Sequence, residues 1–439
     1  MSRLALHHLT EKARPLAVGL FRSLAPAGLS VAVACGPSEE RTSAGAASLP
    51  LATPAADSRT FDVLPEFLAG YWRRPIPAQG PPPEGLSPLE NSLEPSACGT
   101  CHVQQYEDWR TTIHAAAFSP GFAGQLVSQE ETNFAFVASC LVCHAPLSEQ
   151  SERLLLPGGG FGLNPGYDPA LRDQGLVCAA CHVRGWKRYG PPRRGGGLDP
   201  SPPGSPHGGV NRTTFFEDAR FCMGCHQFEV GAPAPNGKPL ENTYVEWRES
   251  RYGLQGVICQ SCHMPDRRHV WRGIHDPQMV RSGLTIDWVG PYEAGAAGRE
   301  LALRVTNSGT GHRFPTYVTP EVVVRVELLD GAGRPIDGAT AESTIARRVA
   351  LQGGTWVEFS DTRLPPDSSL AVRISLSNPE ATLAHGTVEV RPDAFYEGEF
   401  RKLLAGSLTD SARVLIRAAH RRSLESPFAI FDDTLVLGR

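Results

Sequence analysis

The chain has 439 residues, with 42 Lys and Arg against 46 Asp and Glu and a formal net charge of −4 when histidine is neutral. That length suffices for two or three domains with real cores, and the charge excludes the basic footprint of a nucleic-acid binder. The 45 Gly and 38 Pro predict many loops and turns, and the apolar runs are too short for an ordinary transmembrane helix.

The N-terminus reads as an export leader over residues 1–34. Arg3, Lys12, Arg14 and Arg22 form a basic region, Ser23 to Val33 is mostly apolar, and Ala32-Val33-Ala34 is an A-x-A cleavage pattern. Cys35 follows at once, where a bacterial lipoprotein carries its lipidated thiol; the alternative is a plain signal peptide followed by a chance cysteine. Gly36 to Asp57 is rich in Ser, Ala, Gly and Pro and reads as a flexible tether. A Pro-rich stretch, Pro75 to Pro95, completes the expected linker over residues 35–95.

Cysteine carries the strongest signal. Ten of the eleven form five pairs at i, i+3, each followed directly by His: Cys98, Cys101 and His102; Cys140, Cys143 and His144; Cys178, Cys181 and His182; Cys222, Cys225 and His226; Cys259, Cys262 and His263. C-x-x-C-H is the c-type haem attachment motif. Two thiols add to the haem vinyl groups, and the adjoining His ligates the iron from below. A lone C-x-x-C also fits a redox dithiol or half a zinc site, and an even cysteine count fits a disulfide framework. Neither alternative explains five repeats of the whole pentapeptide. Five c-type haems are therefore expected, in an irregular and α-helical domain over residues 96–282. The motifs lie too close together for a large apolar core, so the haems supply much of the interior. Haem attachment of this kind takes place outside the cytoplasm, which agrees with the leader.

The second axial ligand decides what each iron can do. Outside the leader and the motifs seven His remain. His114, His207, His269, His275 and His312 lie in or beside the haem region and are the candidate distal ligands, five for five irons. His385 and His420 read as ordinary surface or helix residues. Met279 is a further possible ligand, whereas Met223 and Met264 abut the motifs too closely. The glycine runs Gly158 to Gly160 and Gly195 to Gly197 lack the following Lys-Ser/Thr of a phosphate loop.

From about residue 283 the period changes to two. Leu301, Leu303 and Val305 alternate with Ala302 and Arg304. The same alternation recurs at Val322, Val324, Val326 and Leu328, and at Leu370, Val372, Ile374 and Leu376. With turns such as Asp330-Gly331-Ala332-Gly333, this predicts a small immunoglobulin-like β-sandwich over residues 283–392. Leu403, Leu404, Ala412, Leu415, Ile416 and Ala419 have helical spacing. Residues 393–439 are thus expected as C-terminal helices packing back on the body, ending in an apolar stretch from Phe428 to Leu437.

The segment CGTCHVQQYEDWRTTIHAAAF, Cys98 to Phe118, resembles the opening of the cytochrome c-554-like family of multihaem cytochromes. Tyr106, Trp109 and His114 stand where that pattern has its Tyr, Trp and distal His. The segments CQSCHMPDRRHVWRGIHD from Cys259 and NSGTGHRFPT from Asn307 are similar to those of related multihaem cytochromes with a C-terminal β-domain. In those, the His of the loop reaches across to a haem, which implies such a role for His312. The resemblance covers residues 96–315 and departs from the family in having five motifs rather than four. It implies closely stacked haems suited to electron hopping.

Two functions from different classes follow. One is an electron carrier with no catalytic residues, passing electrons between other redox proteins or quinol-oxidising complexes in the periplasm or at the outer membrane, held there by a lipid on Cys35. The other is a multihaem oxidoreductase acting on a small nitrogen or sulfur compound at one open haem; the C-x-x-C-Lys pointer to nitrite reduction is absent from the sequence. A third reading makes the β-domain the working part, docking a partner. His312 argues against it by tying that domain to the haems.

Overall fold

The computed structural model describes residues 65–438, apart from 128, 131, 230 and 294–297. The expected leader, Cys35 and the tether up to Asp57 lie outside the described residues.

The first half is built of short helices. Those that carry the motifs are Pro95–Gly99, Phe134–His144, Cys178–His182, Arg220–His226 and Cys259–His263. A helical turn puts residues three apart on one face, so both thiols of a pair point the same way. In the first motif the helix breaks after Gly99, and His102 becomes the residue before helix Val103–Trp109. Strand content is small: β1 (Arg153–Leu155) pairs with β2 (Phe161–Leu163), and β3 (Val183–Arg184), β4 (Lys187–Gly190) and β5 (Val210–Arg212) form one further sheet. Apolar cores here are small patches, one around Leu147, Leu171 and Trp186 and another around Leu126, Val137 and Leu141.

The Pro-rich stretch expected as a linker is packed against this half. Ile76 is buried and bridges Leu147. The Gln79 amide N–H bonds the Glu149 carboxylate, and Trp186 Nε1 donates to the Gly80 carbonyl at 2.7 Å. Proline suits such a segment because its fixed φ lets an extended chain follow a surface without a ladder of its own.

The second half is two antiparallel sheets. One has three strands in the order β11 (Ser369–Ser375), β7 (Arg299–Asn307), β6 (Leu284–Glu293). The other has five in the order β10 (Thr355–Asp361), β9 (Pro335–Gln352), β8 (Glu321–Leu329), β12 (Leu383–Arg391), β13 (Phe428–Val436). They share one core: Leu301, Leu303 and Val305 meet Val322, Val324, Val326 and Leu328, all nearly fully buried. The period-two alternation produces this, since one face of each strand turns inward.

Between β12 and β13 the chain leaves the sheet for two helices, Ala394–Ala405 and Asp410–Glu425. Ala412, Ile416, Ala419 and Ser423 form the buried stripe of the second. These helices pack on helix Pro120–Leu126 of the haem half. The approach is close because Gly121 and Gly124 lack side chains: a Cβ on Gly121 would lie 2.6 Å from the Phe400 ring, and one on Gly124 would lie 2.9 Å from Ile416. The expected helical tail over 393–439 gives way at Phe428. There the last apolar stretch returns as β13 on the edge of the large sheet, with Ile430 in the shared core.

A charged interface joins the halves. Arg347, whose side chain is fully buried, pairs with Glu358 at 2.8 Å and donates to the carbonyls of Pro239 and Lys238 at 2.6 and 2.7 Å. Lys238 Nζ reaches Asp361 at 2.6 Å, and Arg363 reaches Glu246 at 3.1 Å. These contacts fix the β-domain loop that carries His312.

Candidate functional site

One connected cavity of about 2940 Å³ runs through the half that carries the Cys-x-x-Cys-His motifs, several times the roughly 300–1,000 Å³ of a single ligand pocket. Cysteines and His of all five motifs line it, as do His114, His207, His269, His275 and His312.

Four motif histidines each face one of the candidate distal histidines. His102 faces His207 with ring centroids 6.4 Å apart, and His226 faces His114 at 6.2 Å. His182 faces His269 at 6.1 Å, and His263 faces His312 at 6.3 Å. A bond between imidazole and a first-row metal is about 2.0 Å, and a ring centroid lies about 1.2 Å from its nitrogen, so two imidazoles on opposite sides of one metal have centroids about 6.4 Å apart. All four separations suit a metal held between the rings.

The ring nitrogens are oriented for the same purpose. Nδ1–H donates to a backbone carbonyl in His182 (Tyr189, 2.8 Å), His263 (Arg272, 2.8 Å), His269 (Arg267, 3.1 Å) and His312 (Arg313, 2.9 Å). That fixes the tautomer and leaves Nε2 with its lone pair as the ligating atom. Burial lowers the pKa of His114 to about 3, with His226 and His263 adding to the shift. Burial also lowers His182 and His312 to about 4. These imidazoles are neutral at pH 7, the form that binds iron. His114 Nδ1 is buried with no hydrogen-bond partner. Trp271 stands edge-on to both His114 and His269, at 4.9 and 5.1 Å.

The fifth motif histidine, His144, is different. Its Nδ1 donates to the Ala117 carbonyl at 2.7 Å, so its Nε2 is presented like the others. Its ring stacks on Phe122 at 4.1 Å, and no histidine ring faces it among the described residues. His275, the remaining distal candidate, turns its Nε2 to Asp393 at 3.0 Å instead. The expected match of five distal histidines to five irons is therefore not the arrangement in the structure. The physical reason is Asp393, placed just before helix Ala394–Ala405: a carboxylate holds that imidazole by a charge-assisted hydrogen bond. His385 pairs with Asp432 at 3.0 Å, away from the cavity.

The motifs also touch one another. The thiols of Cys98 and Cys178 meet, as do Cys143 with Cys225 and Cys222 with Cys259. The Cys181 thiol bears electrostatically on both Cys222 and Cys225. In sequence order, site 1 adjoins site 3, site 3 adjoins site 4, and site 4 adjoins both 2 and 5. Cys101 and Cys262, at sites 1 and 5, are exposed.

Sequence reasoning missed the carbonyls of Ala117, Tyr189, Arg272 and Arg313, which orient the rings; they are backbone groups and leave no compositional signal. It also missed Phe122, one of many aromatics. Glu241, on the cavity wall, lies in no recognisable motif.

Residues 97–157 match the family model described as cytochrome c554 and c-prime. Among solved structures, a penta-heme cytochrome c552 from Thermochromatium tepidum matches with a TM-score of 0.54 and 18% identity, over 80% of this chain and 100% of that one. That likeness shows a shared fold. No curated protein matches the chain.

Proposed function

We propose that this chain, a multihaem c-type cytochrome of the cytochrome c554-like family, carries five covalent haems and passes electrons between redox partners outside the cytoplasm. The observation that carries the reading is the set of four facing His pairs at 6.1 to 6.4 Å. Each haem, when bound, supplies a one-electron iron couple. The protein's part is to attach, ligate and space the haems. Cys98 and Cys101, Cys140 and Cys143, Cys178 and Cys181, Cys222 and Cys225, and Cys259 and Cys262 would form the thioethers. His102, His144, His182, His226 and His263 are the proximal ligands in this reading. His207, His269, His114 and His312 would complete haems 1, 3, 4 and 5. Two strong ligands favour a low-spin iron that changes little on reduction.

The thiol contacts support the order 1–3–4, with haems 2 and 5 both on haem 4. Haems 1 and 5, beside exposed Cys101 and Cys262, are the ends at which partners such as redox proteins or quinol-oxidising complexes would dock. Lipidation at Cys35 would keep the chain at a membrane surface. The sheet pair β11-β7-β6 and β10-β9-β8-β12-β13 supports the immunoglobulin-like reading: it follows the order of a variable-type sandwich, with two helices inserted before the last strand.

One observation favours a second reading. Among the described residues no histidine faces His144, so haem 2 would keep an open position at the end of a branch, where a small nitrogen or sulfur compound would bind and be reduced or oxidised. The first test is intact mass of the exported protein. The proposal expects the mass of five haems beyond the polypeptide; four or fewer would overturn it.

A further inference from the structure

A carboxylate on the cavity wall belongs to none of the five motifs and faces none of the four His pairs. Glu241 is half-buried between the haem half and the β-domain. Its Oε1 accepts hydrogen bonds from the Thr243 amide at 3.2 Å and from the Thr243 hydroxyl. From there a chain of polar groups runs inward. Thr243 Oγ1 is 2.7 Å from Thr316 Oγ1, and Thr316 Oγ1 is 3.4 Å from Glu246 Oε2. Glu246 in turn holds Arg363 at 3.1 Å and accepts from the Arg313 amide at 3.2 Å. Glu241 also bears electrostatically on the Cys143 thiol, which meets Cys225. It therefore lies within electrostatic reach of Cys143 and, through the Cys143–Cys225 contact, of the meeting point of sites 2 and 4.

We propose that Glu241 is a redox-linked proton site, taking up a proton from solvent as the adjoining haem pair gains an electron. The inference rests on the pentahaem reading above. The balance is simple: one iron goes from Fe(III) to Fe(II) with an electron from the chain's own redox partner, one solvent proton bonds to a Glu241 oxygen, and no other bond changes. The physical basis is electrostatic. Adding an electron to a site of low dielectric disfavours a nearby anion and favours the neutral acid. The groups facing Glu241 make it responsive. Arg363 supplies positive charge to Glu241 and Glu246 opposes a further negative one, while Arg74 and Glu229 act with Glu241 on the Cys143 thiol. Burial pushes the Glu241 carboxyl up to about 7, partly offset by the Thr243 hydrogen bonds and by Arg363, so a modest field change moves its protonation at neutral pH.

The test is a spectroelectrochemical titration of the full holoprotein at several pH values, with haem count and spin state recorded on the same samples. In the wild type, one midpoint potential should fall with rising pH near neutrality, approaching one proton per electron. Glu241→Gln should flatten that dependence while leaving five haems and the wild-type spin states. A flat wild-type profile, or an equal slope in Glu241→Gln, overturns the inference. Should the variant fail to mature, the redox-difference infrared spectrum of the wild type decides: a carboxylic acid C=O band appearing on reduction supports it, and its absence overturns it. A haem count below five would instead strike the pentahaem reading, so the two failures are distinguishable.

Discussion

Arg363 holds the β-domain loop against the haem half, and its loss should be felt at haem 5. The side chain is almost wholly buried and binds Asp361 through two nitrogens at 2.9 and 3.1 Å, Glu246 at 3.1 Å and the Thr316 carbonyl at 2.9 Å. Thr316 lies four residues after His312 on the same loop. Arg363→Met keeps the bulk of the stem and removes the charge. Breaking one partner of a buried ion pair costs about 3–5 kcal/mol. Asp361 keeps Lys238 at 2.6 Å, and Glu246 keeps the Arg313 amide at 3.2 Å. The lower end, about 3 kcal/mol, therefore applies. Glu246, already pushed up by burial with Arg363 present, would then rise further. A folded-state pKa above the unfolded one means that the folded state binds the extra proton, so stability falls as pH rises through that range. The variant should accordingly lie nearer the wild type at about pH 5 than at about pH 8. Denaturant unfolding of the holoprotein reads the stability, and low-temperature EPR reads haem 5. A loss below about 0.5 kcal/mol, the scale of a surface substitution, would refute the reasoning. So would a larger penalty at low pH than at high.

Other substitutions test other parts. His312→Ala should convert one further iron to high spin while leaving five haems attached, and an unchanged EPR spectrum would remove His312 from the ligand set. Gly124→Val would set a Cβ 2.9 Å from Ile416 and should cost about 1–3 kcal/mol by overpacking, read as a lower thermal midpoint; a neutral result would mean that the C-terminal helices are not packed there. Glu241→Gln should gain stability relative to the wild type as pH rises. Burial holds the folded carboxyl at about 7, above the ordinary carboxylate range, so the wild type alone loses stability as pH rises from that range through neutrality. Parallel pH–stability curves would contradict the burial of Glu241.

Much of the site was legible because its chemistry is local. The Cys-x-x-Cys-His spacing is a property of one helical turn, so the attachment positions can be read off the chain without knowing the fold. His207, His269, His114 and His312 were candidates on the strength of residue type and placement, but which ring each faces depends on how turns separated by tens of residues come together. His275 shows the limit. Its spacing after Cys262 resembles that of a ligand, yet Asp393, more than a hundred residues away, holds its Nε2. The strands were legible where one face is buried, as in Val322 to Leu328. Phe428 to Val436 was not, because an edge strand exposing one face has a weak period and follows two strongly helical segments. The packing of the Pro75 to Pro95 stretch was hidden for a similar reason: composition reports its lack of regular structure and says nothing of what it rests on.

Under the proposed ligation, four irons would lie between two histidines, and the one bound by His144 would have no second histidine among the described residues. Low-temperature EPR of the air-oxidised holoprotein, integrated against total haem, tests it most directly. Four parts low-spin bis-imidazole signal to one part high-spin are expected. Five low-spin haems would mean that His275 or another group reaches the iron above His144 and would contradict the open site. Two or more high-spin irons would mean that at least one of the four His pairs does not close on its iron.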